Sequence, residues 1–254
     1  MAILNININS KSYVNNSHTL KVLENIHLEI GQGEFVCIAG PSGCGKTTFL
    51  NIIAGLDFDY SGEVLYKGTP ITGCSQERVV IFQELGLFPW LNVQSNVELG
   101  LKMKNIPKKK RKEIALQYLE MVNLIKFKDY FIHNLSGGMK QRVALARALA
   151  MEPHVLLMDE PFASLDAQTR DMLHFELQKI WIATQKTIIF VTHNVREAVC
   201  LGDRVLVFSL APAHVKASFE IDLVRPRQIE SEGLIEKVRP ILTELKFEIE
   251  KYHE

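Results

Sequence analysis

Short apolar runs separated by turn residues dominate the first third of the chain and predict β-strands. Ile3 to Ile8 alternates apolar and polar residues, which is typical of a strand with one buried face. The stretch from Ser12 to His18 shows no such pattern, and we expect a loop there. The predicted strands of this part are Ile3 to Ile8, Val22 to Ile30, Glu34 to Ala39, Gly62 to Tyr66 and Val79 to Phe82.

A helical pattern replaces these strands after Pro89 and holds to Met151, with apolar residues at spacings of three and four from Ile114 to Ile125. Strand-like and helical stretches then alternate, an order typical of a largely parallel sheet with helices on both faces. We expect strands at Val155 to Met158, Thr187 to Val191 and Arg204 to Phe208, and helices at Gln168 to Thr184 and Val195 to Cys200. From Gly233 onward the spacing predicts one or two amphipathic helices, interrupted by Pro240.

Composition and charge narrow the function classes. The 254 residues correspond to one large or two small domains, at roughly 150 residues per domain. The 29 basic and 29 acidic residues cancel, so no global field attracts nucleic acid, and we expect no nucleic-acid partner. No apolar run reaches the roughly 18 residues of a membrane span, and the first ten residues lack the features of a signal peptide. We therefore expect a cytoplasmic chain with four unpaired thiols, because its cysteines show neither CxxC nor zinc spacing.

A glycine-rich motif lies between a predicted strand and a predicted helix, Lys46 to Ala54, which Gly55 ends. Its glycines would let successive backbone N–H groups and the helix N-terminus face phosphate groups. Lys46 is expected to reach the β and γ phosphates, Thr47 to hold Mg²⁺ and Thr48 to add a hydroxyl contact. A chance glycine-rich turn is the alternative, which the strand and helix context disfavours. The motif, GxxxxGK[ST], reads Gly40, Pro41, Ser42, Gly43, Cys44, Gly45, Lys46, Thr47.

Two carboxylates, Asp159 and Glu160, end the apolar run that starts at Val155. Ligands bind at the carboxyl edge of parallel sheets, where these side chains would emerge. Asp159 suits the shell of Mg²⁺, and Glu160 suits a general base that polarises an attacking water. Adjacent acids at a strand end are otherwise often solvated surface, but the glycine-rich motif favours the catalytic interpretation.

The segment Leu135 to Gln141, with sequence LSGGMKQ, opens a predicted helix. Ser136 is a candidate N-cap, and Gly137 and Gly138 leave backbone donors uncovered at the positive helix end. The segment is therefore either an ordinary capped helix start or a second phosphate site. One chain needs two such sites only if the second serves a nucleotide held by another copy.

Taken together, these motifs resemble the ATPase subunit of an ATP-binding-cassette (ABC) transporter. Gln83, the segment Ser164 to Asp166 and His193 complete the family's set, in the family's order, over about residues 1 to 210. The resemblance implies an α/β fold: a P-loop NTPase (RecA-like) core with a mostly parallel sheet, an N-terminal antiparallel β subdomain and a helical insert. It also implies ATP and Mg²⁺ as cofactors. Two subunits would sandwich two ATP molecules head to tail, each between one phosphate loop and the opposite signature helix.

The resemblance assigns roles to four further residues. Gln83 would touch Mg²⁺ and the attacking water, His193 the γ-phosphate, and Asp166 the dimer seam. Tyr13 occupies the position of the aromatic residue that stacks on adenine, since a ring face accepts a base face. A lone histidine or tyrosine at a strand end is otherwise often a packing residue. The implied parts are residues 1–88 and 152–212 for the nucleotide-binding core, 89–151 for the helical signature subdomain, and 213–254 for a C-terminal extension.

Within the family, the segment Phe82 to Trp90 is similar to importers of nitrate, taurine and aliphatic sulfonates. Related systems that carry pyrimidine precursors or other small organic molecules share these features. In those systems a solute-binding protein and membrane permease subunits work with two ATPase subunits at the cytoplasmic face of the membrane. Leu87, Phe88 and Trp90 would form an apolar docking patch for the permease, although Leu87 is equally suited to the core.

Other features of the sequence leave alternatives open. Met139-Lys140 and Asn194 depart from the residues frequent in the family, without removing a group that hydrolysis needs. The basic run Lys108 to Lys112 follows Pro107, and we interpret it as a solvated helix start rather than a membrane or nucleic-acid site. The competing functions are a P-loop small-molecule kinase and a soluble ABC-type ATPase that acts outside transport.

Overall fold

The computed structural model describes residues 2–15 and 18–250, which fall into two compact units. The terminal unit consists of Met1–Ser75 and Gln185–Glu254, and the middle unit of Gln76–Thr184. The functional parts expected from the sequence, with boundaries at residues 88, 151 and 212, stay predictions.

A four-stranded antiparallel sheet forms the first part of the terminal unit, in the strand order β2-β1-β4-β5. Leu4, Ile6 and Ile8 are fully buried, as alternation along a strand with one covered face requires. The four strands are β1 (Ala2–Asn15), β2 (His18–Gly31), β4 (Ser61–Tyr66) and β5 (Thr69–Pro70).

The expected loop from Ser12 to His18 is wrong in part. β1 continues to Asn15 and β2 begins at His18, while residues 16 and 17 lie outside the described residues. The strands stay paired despite their polar composition, with Tyr13 opposite Leu20, after a shift of register between Lys11 and Ser12. Cross-strand pairing therefore outweighs local sequence preference here.

Parallel strands form the second part of the terminal unit. β3 pairs in parallel with β8 on one side and β9 on the other, and β10 runs antiparallel to β9. Every residue of β3 and β8 is buried, as expected for strands covered on both faces. The strands are β3 (Phe35–Ala39), β8 (Thr187–Thr192), β9 (Arg204–Phe208) and the unpredicted β10 (Val215–Glu220).

The described residues of the terminal unit form three helices: α1 (Lys46–Ala54), α6 (Val195–Leu201) and α7 (Glu232–Glu250). α1 has the predicted bounds and ends at Gly55, whose left-handed backbone lets its N–H bond to carbonyls of the last turn. α7 packs on α6 and continues through Pro240, so the terminal amphipathic pattern forms one helix within the described residues.

The middle unit combines two parallel strands with four α-helices. Its β6 (Arg78–Ile81) pairs in parallel with β7 (Val155–Asp159). The helices are α2 (Val93–Met103), α3 (Lys108–Met121), α4 (Gly137–Ala150) and α5 (Ala167–Thr184), with 3₁₀ turns at Ile125–Phe127 and Ile132–Asn134. α2 packs on α3 and α4, and Val97, Leu101 and Leu119 are buried.

The basic run forms the start of α3, as predicted. The lysines at 108, 109, 110 and 112 are exposed, whereas Arg111 donates a hydrogen bond of 2.9 Å to the Ile106 carbonyl oxygen.

The predicted α/β class, the antiparallel β part and the parallel strands are confirmed. All four cysteines lie in the described part, where none of them forms a disulfide. Among the described residues, we find no helix with both the length and the apolar character needed to span a membrane.

Candidate functional site

The phosphate loop of the terminal unit connects the end of β3 to the start of α1. Gly43 and Gly45 have φ values of +78° and +111°, which residues with a Cβ rarely adopt. A Cβ at Gly45 would lie 2.7 Å from Val22 Cγ1, and one at Gly40 would lie 3.1 Å from Cys44 Sγ. The sequence therefore needs glycine here for both conformation and space. Gly45 is the N-cap residue of α1 and has no side chain, so it does not cap the backbone donors of that helix start.

Lys46 places its ammonium group inside this loop. The side chain is 5% exposed, and Nζ donates to the carbonyl oxygens of Gly40 at 2.9 Å and Pro41 at 2.7 Å. Thr47 is exposed beside it, while Thr48 is buried. A buried cation, a hydroxyl and a helix N-terminus thus meet within nine residues, which fits a polyphosphate chemically.

Tyr13 belongs to a polar network in the same unit. Its hydroxyl donates to Asp57 Oδ2 at 3.2 Å and lies 3.4 Å from Thr48 Oγ1. The Lys11 ammonium lies 4.5 Å from the centroid of the Tyr13 ring and donates to Asp57 Oδ1 at 2.8 Å. The predicted base-stacking ring is therefore linked directly to the first turn of α1.

His193 follows β8 and is exposed in a tightly hydrogen-bonded turn. The Thr192 hydroxyl donates to the Glu197 carboxylate and accepts the Asn194 N–H at 2.9 Å. The Asn194 side chain accepts the N–H groups of Arg196 at 3.0 Å and Glu197 at 3.3 Å, so it caps α6. This residue departs from the family pattern, yet it has a definite structural role.

Asp159 and Glu160 lie at the carboxyl end of β7 in the middle unit. Asp159 is buried and Glu160 is half-buried. Glu160 has a φ of +42°, a left-handed conformation that costs a non-glycine residue roughly 1–2 kcal/mol. Such strain at the end of a buried strand is typical of functional sites, and here it turns the chain directly after the carboxylate pair.

Ser136 caps α4 as the sequence predicts, because its hydroxyl accepts the Met139 N–H at 3.3 Å. The two glycines that follow are packed against the start of α5. A Cβ at Gly138 would lie 2.5 Å from Thr169 Cγ2, and one at Gly137 would lie 3.1 Å from Leu165 Cδ2. Gly138 is therefore required for packing, in addition to any exposure of backbone donors.

Asp166, also in the middle unit, is exposed and caps α5. Its carboxylate accepts the Thr169 N–H at 3.0 Å, and this hydrogen bond lowers the pKa of Asp166. Arg170 closes the preceding turn by donating to the Leu165 carbonyl oxygen at 2.7 Å. The turn between β7 and α5 is thus fixed by its own side chains.

Gln83 is exposed just after β6, and two residues fix the loop that follows it. Arg147 donates to the carbonyl oxygens of Leu85 and Gly86, each at 2.6 Å. The fully buried Asn96 accepts the Phe88 N–H at 2.9 Å and donates to the Phe88 carbonyl oxygen at 3.1 Å.

The predicted apolar docking patch lies on this loop. Trp90 is 70% exposed, and its ring centroid lies 5.4 Å from that of the half-buried Phe88. Leu87 is also half-buried, so it is neither a core residue nor fully exposed.

Sequence reasoning missed the residues that hold these motifs in place: Lys11, Asp57, Asn96, Arg147 and Glu197. Lysine, aspartate and arginine are common on surfaces, and no spacing rule marks those that hydrogen-bond to a group far away in the sequence. Asn96 lies in a segment where the spacing of apolar residues predicts a helix but indicates no role for the polar residues.

Comparisons with known proteins agree with this set of motifs. A profile of the family described as ABC transporter matches residues 23–163. An uncharacterized ABC transporter ATP-binding protein of Methanocaldococcus jannaschii is 50% identical over 95% of this chain and 91% of its own length. An aliphatic sulfonates import ATP-binding protein of Bacillus cereus is 42% identical over 96% of each chain. One solved structure of an ATP-binding cassette is a dimer in a post-hydrolysis state, bound to ADP and phosphate. It superimposes on this chain with a TM-score of 0.76 and is 33% identical in sequence, and the match covers 87% of this chain and all of that one.

Proposed function

Since the chain belongs to the ABC transporter family, we propose that it is the ATP-hydrolysing subunit of an importer that drives a small solute through a separate membrane permease. The observation that carries the proposal is the phosphate loop. Gly45 has no room for a Cβ, Gly43 and Gly45 have positive φ values, and the Lys46 ammonium is buried against loop carbonyls. A merely structural glycine turn would not bury a cation beside a helix start without a side-chain cap.

Phosphate recognition is assigned to the terminal unit. Backbone N–H groups of the loop and the Lys46 ammonium would bind the β and γ phosphates, and Thr48 would add a hydroxyl. Tyr13 would stack on the adenine ring. These groups orient the nucleotide and supply positive charge where negative charge develops during transfer of the γ-phosphoryl group.

Oxygen donors for Mg²⁺ are available in three side chains: the Thr47 hydroxyl, the Gln83 amide and the Asp159 carboxylate. Hydroxyl, amide and carboxylate oxygens are the ligands this hard cation prefers, so the donor set fits the metal. Held by such oxygen donors, Mg²⁺ would neutralise charge on the phosphate oxygens.

Glu160 is assigned the role of general base, which accepts a proton from the attacking water, and His193 contacts the γ-phosphate. In the dimer, Ser136, Gly137 and Gly138 of one copy would bind the nucleotide held by the other copy. Asp166 would line the seam between the copies. The dimeric state of the solved cassette supports this arrangement.

The solute is assigned to a class of small molecules that carry an oxyanion group: nitrate, taurine and aliphatic sulfonates. The name of the Bacillus cereus relative supports the sulfonate member of this class. Transport then needs permease subunits in the membrane and, outside it, a solute-binding protein. The chain would be a peripheral subunit at the cytoplasmic face, with the exposed Trp90 in the permease-docking surface.

Simple assays distinguish two alternative functions from the proposed one. A small-molecule kinase would transfer phosphate only when an acceptor is present, and it has no use for Ser136 or His193. A soluble ABC-type ATPase outside transport would co-purify with ribosomes or DNA. The comparisons do not favour either alternative.

The test combines activity with partner recovery. The purified chain should release phosphate from Mg-ATP without an acceptor, and Lys46→Ala should abolish both this activity and the protection that Mg-ATP gives against heating. The tagged chain should co-purify with a multi-span membrane protein, and deletion of its gene should impair growth on an alkanesulfonate, taurine or nitrate. Phosphate release that requires an acceptor, or recovery only with ribosomes or DNA, would refute the proposal.

A further inference from the structure

Lys11 is a nearly inaccessible cation in the antiparallel sheet of the terminal unit. Its side chain is 2% exposed, and its ammonium lies 2.8 Å from Asp57 Oδ1 and 3.6 Å from Asp59 Oδ2. A buried ammonium group is costly unless it is paired and hydrogen-bonded. Although burial by itself lowers the pKa of Lys11, the hydrogen bond and charge of Asp57 raise it above its ordinary value. Lys11 is therefore a charged, fixed group.

The third neighbour of this ammonium is the Tyr13 ring, whose centroid lies at 4.5 Å. An ammonium over a ring face is attracted to the electron-rich π system. Tyr13 keeps 43% of its surface exposed, so the contact with Lys11 leaves much of the side chain uncovered. An exposed aromatic ring held in this way is suited to stacking on a planar group.

The hydroxyl end of the ring is held as well. It donates to Asp57 Oδ2 at 3.2 Å, so both oxygens of one carboxylate are used, one for Lys11 and one for Tyr13. The same hydroxyl lies 3.4 Å from Thr48 Oγ1, in the first turn of α1. Asp57 thus joins the ammonium below the ring to the hydroxyl at its edge, and Thr48 joins the ring to the phosphate loop.

We infer that Lys11 and Asp57 are positioning residues that fix the Tyr13 ring as a platform for the nucleobase and set its place relative to the phosphate loop. This inference rests on the proposed function, in which Tyr13 stacks on adenine. A ring face does not read hydrogen-bonding groups, so the network would contribute orientation and affinity rather than choice of base. Lys11 and Asp57 need not touch the nucleotide.

Two ligands separate this role from a purely structural one. ATP carries a base, whereas inorganic tripolyphosphate carries only the phosphate chain, and both should bind the phosphate loop.

Calorimetry on the full chain would compare the wild type with Lys11→Met and Asp57→Asn. Lys21→Met is the matched control, because Lys21 is a partly exposed lysine of the same sheet, paired with Glu24. Base stacking is worth about 1–3 kcal/mol, so ATP affinity should fall at least fivefold in both network variants. Tripolyphosphate affinity should not change, and the control should bind both ligands like the wild type.

Tyr13→Phe keeps the ring and removes its hydroxyl, so a smaller loss for ATP alone is expected. Tyr13→Ala should weaken ATP binding as much as Lys11→Met does. The double variant Lys11→Met/Tyr13→Ala should bind ATP no more weakly than Tyr13→Ala alone. If the network variants lose affinity equally for ATP and tripolyphosphate, or lose none, the inference is overturned. Tyr13→Phe provides this test even if Lys11→Met fails to fold. If the wild type binds neither ligand, the proposed function itself fails. If the wild type binds ATP and every network variant matches it, only the positioning role fails.

Discussion

Arg147 donates a hydrogen bond of 2.6 Å to the carbonyl oxygen of Gly86, 61 residues earlier in the chain. The same guanidinium reaches the Leu85 carbonyl oxygen at 2.6 Å, and its burial lowers the pKa of Arg147. Arg147 belongs to α4, the helix that Ser136 caps. The loop after Gln83 and the helix after the signature segment are therefore joined by a planar, two-pronged contact.

Arg147→Met should free this loop while preserving much of the apolar stem. Hydrogen bonds to charged groups contribute about 1.5–3 kcal/mol, so amide hydrogen exchange over residues 84–91 should accelerate at least tenfold. Arg142→Met is the control, because Arg142 lies on the same helix but pairs with Glu176 at 2.9 Å. Unchanged exchange in Arg147→Met, or equal acceleration in both variants, would contradict the anchoring role.

Gly138→Ala should destabilise the chain because the new Cβ would lie 2.5 Å from Thr169 Cγ2. Overpacking of this kind costs about 1–3 kcal/mol in the free energy of unfolding, measured by urea denaturation. Adding Thr169→Ser removes the clashing methyl group and should recover most of the loss. Gly137→Ala meets only the flexible end of Leu165 and should cost less. A double variant no more stable than Gly138→Ala would refute the steric explanation.

Asn194→Ala should remove the N-cap of α6, whose first N–H groups bond to the Asn194 side chain. The expected loss is about 1 kcal/mol in the free energy of unfolding. Asn194→Asp supplies equivalent acceptor oxygens and should keep the wild-type stability. If Asp and Ala destabilise the chain equally in thermal unfolding, the side chain is not acting as a cap.

The stability contribution of the Lys11–Asp57 ion pair should depend on pH in a definite direction. Burial would raise the pKa of Asp57, but hydrogen bonds from Lys11, the Asp59 N–H and Tyr13 lower it below the ordinary 3.8. A lowered carboxyl pKa stabilises the fold above the unfolded-state pKa, and this contribution is lost as pH falls through the folded-state value. The difference in unfolding free energy between wild type and Asp57→Asn should thus be constant from neutral pH to about pH 5. It should shrink below pH 4, and a difference that grows there would contradict this assignment.

Periodicity and motif spacing predicted the elements that carry local information. α1 has the predicted bounds because a glycine turn precedes it and Gly55 ends it, and the Ser136 cap follows from its position before two glycines. Strand β10 was missed because its pairing with β9, rather than its own sequence, holds it in place. The contacts of Lys11 and Arg147 join residues 46 and 61 positions apart, so no local pattern reveals them.

Phosphate release and particle mass, followed together for the Glu160→Gln variant in Mg-ATP, test the central claim most directly. Loss of a general base should slow hydrolysis by about 10²–10⁴-fold, while the intact phosphate loop still binds ATP. We therefore predict negligible phosphate release and a stable dimer with twice the mass of the chain, absent when Lys46→Ala is added. Sustained hydrolysis near the wild-type rate, or a monomer at saturating ATP, would contradict the assignment of this chain as a dimerising transport ATPase.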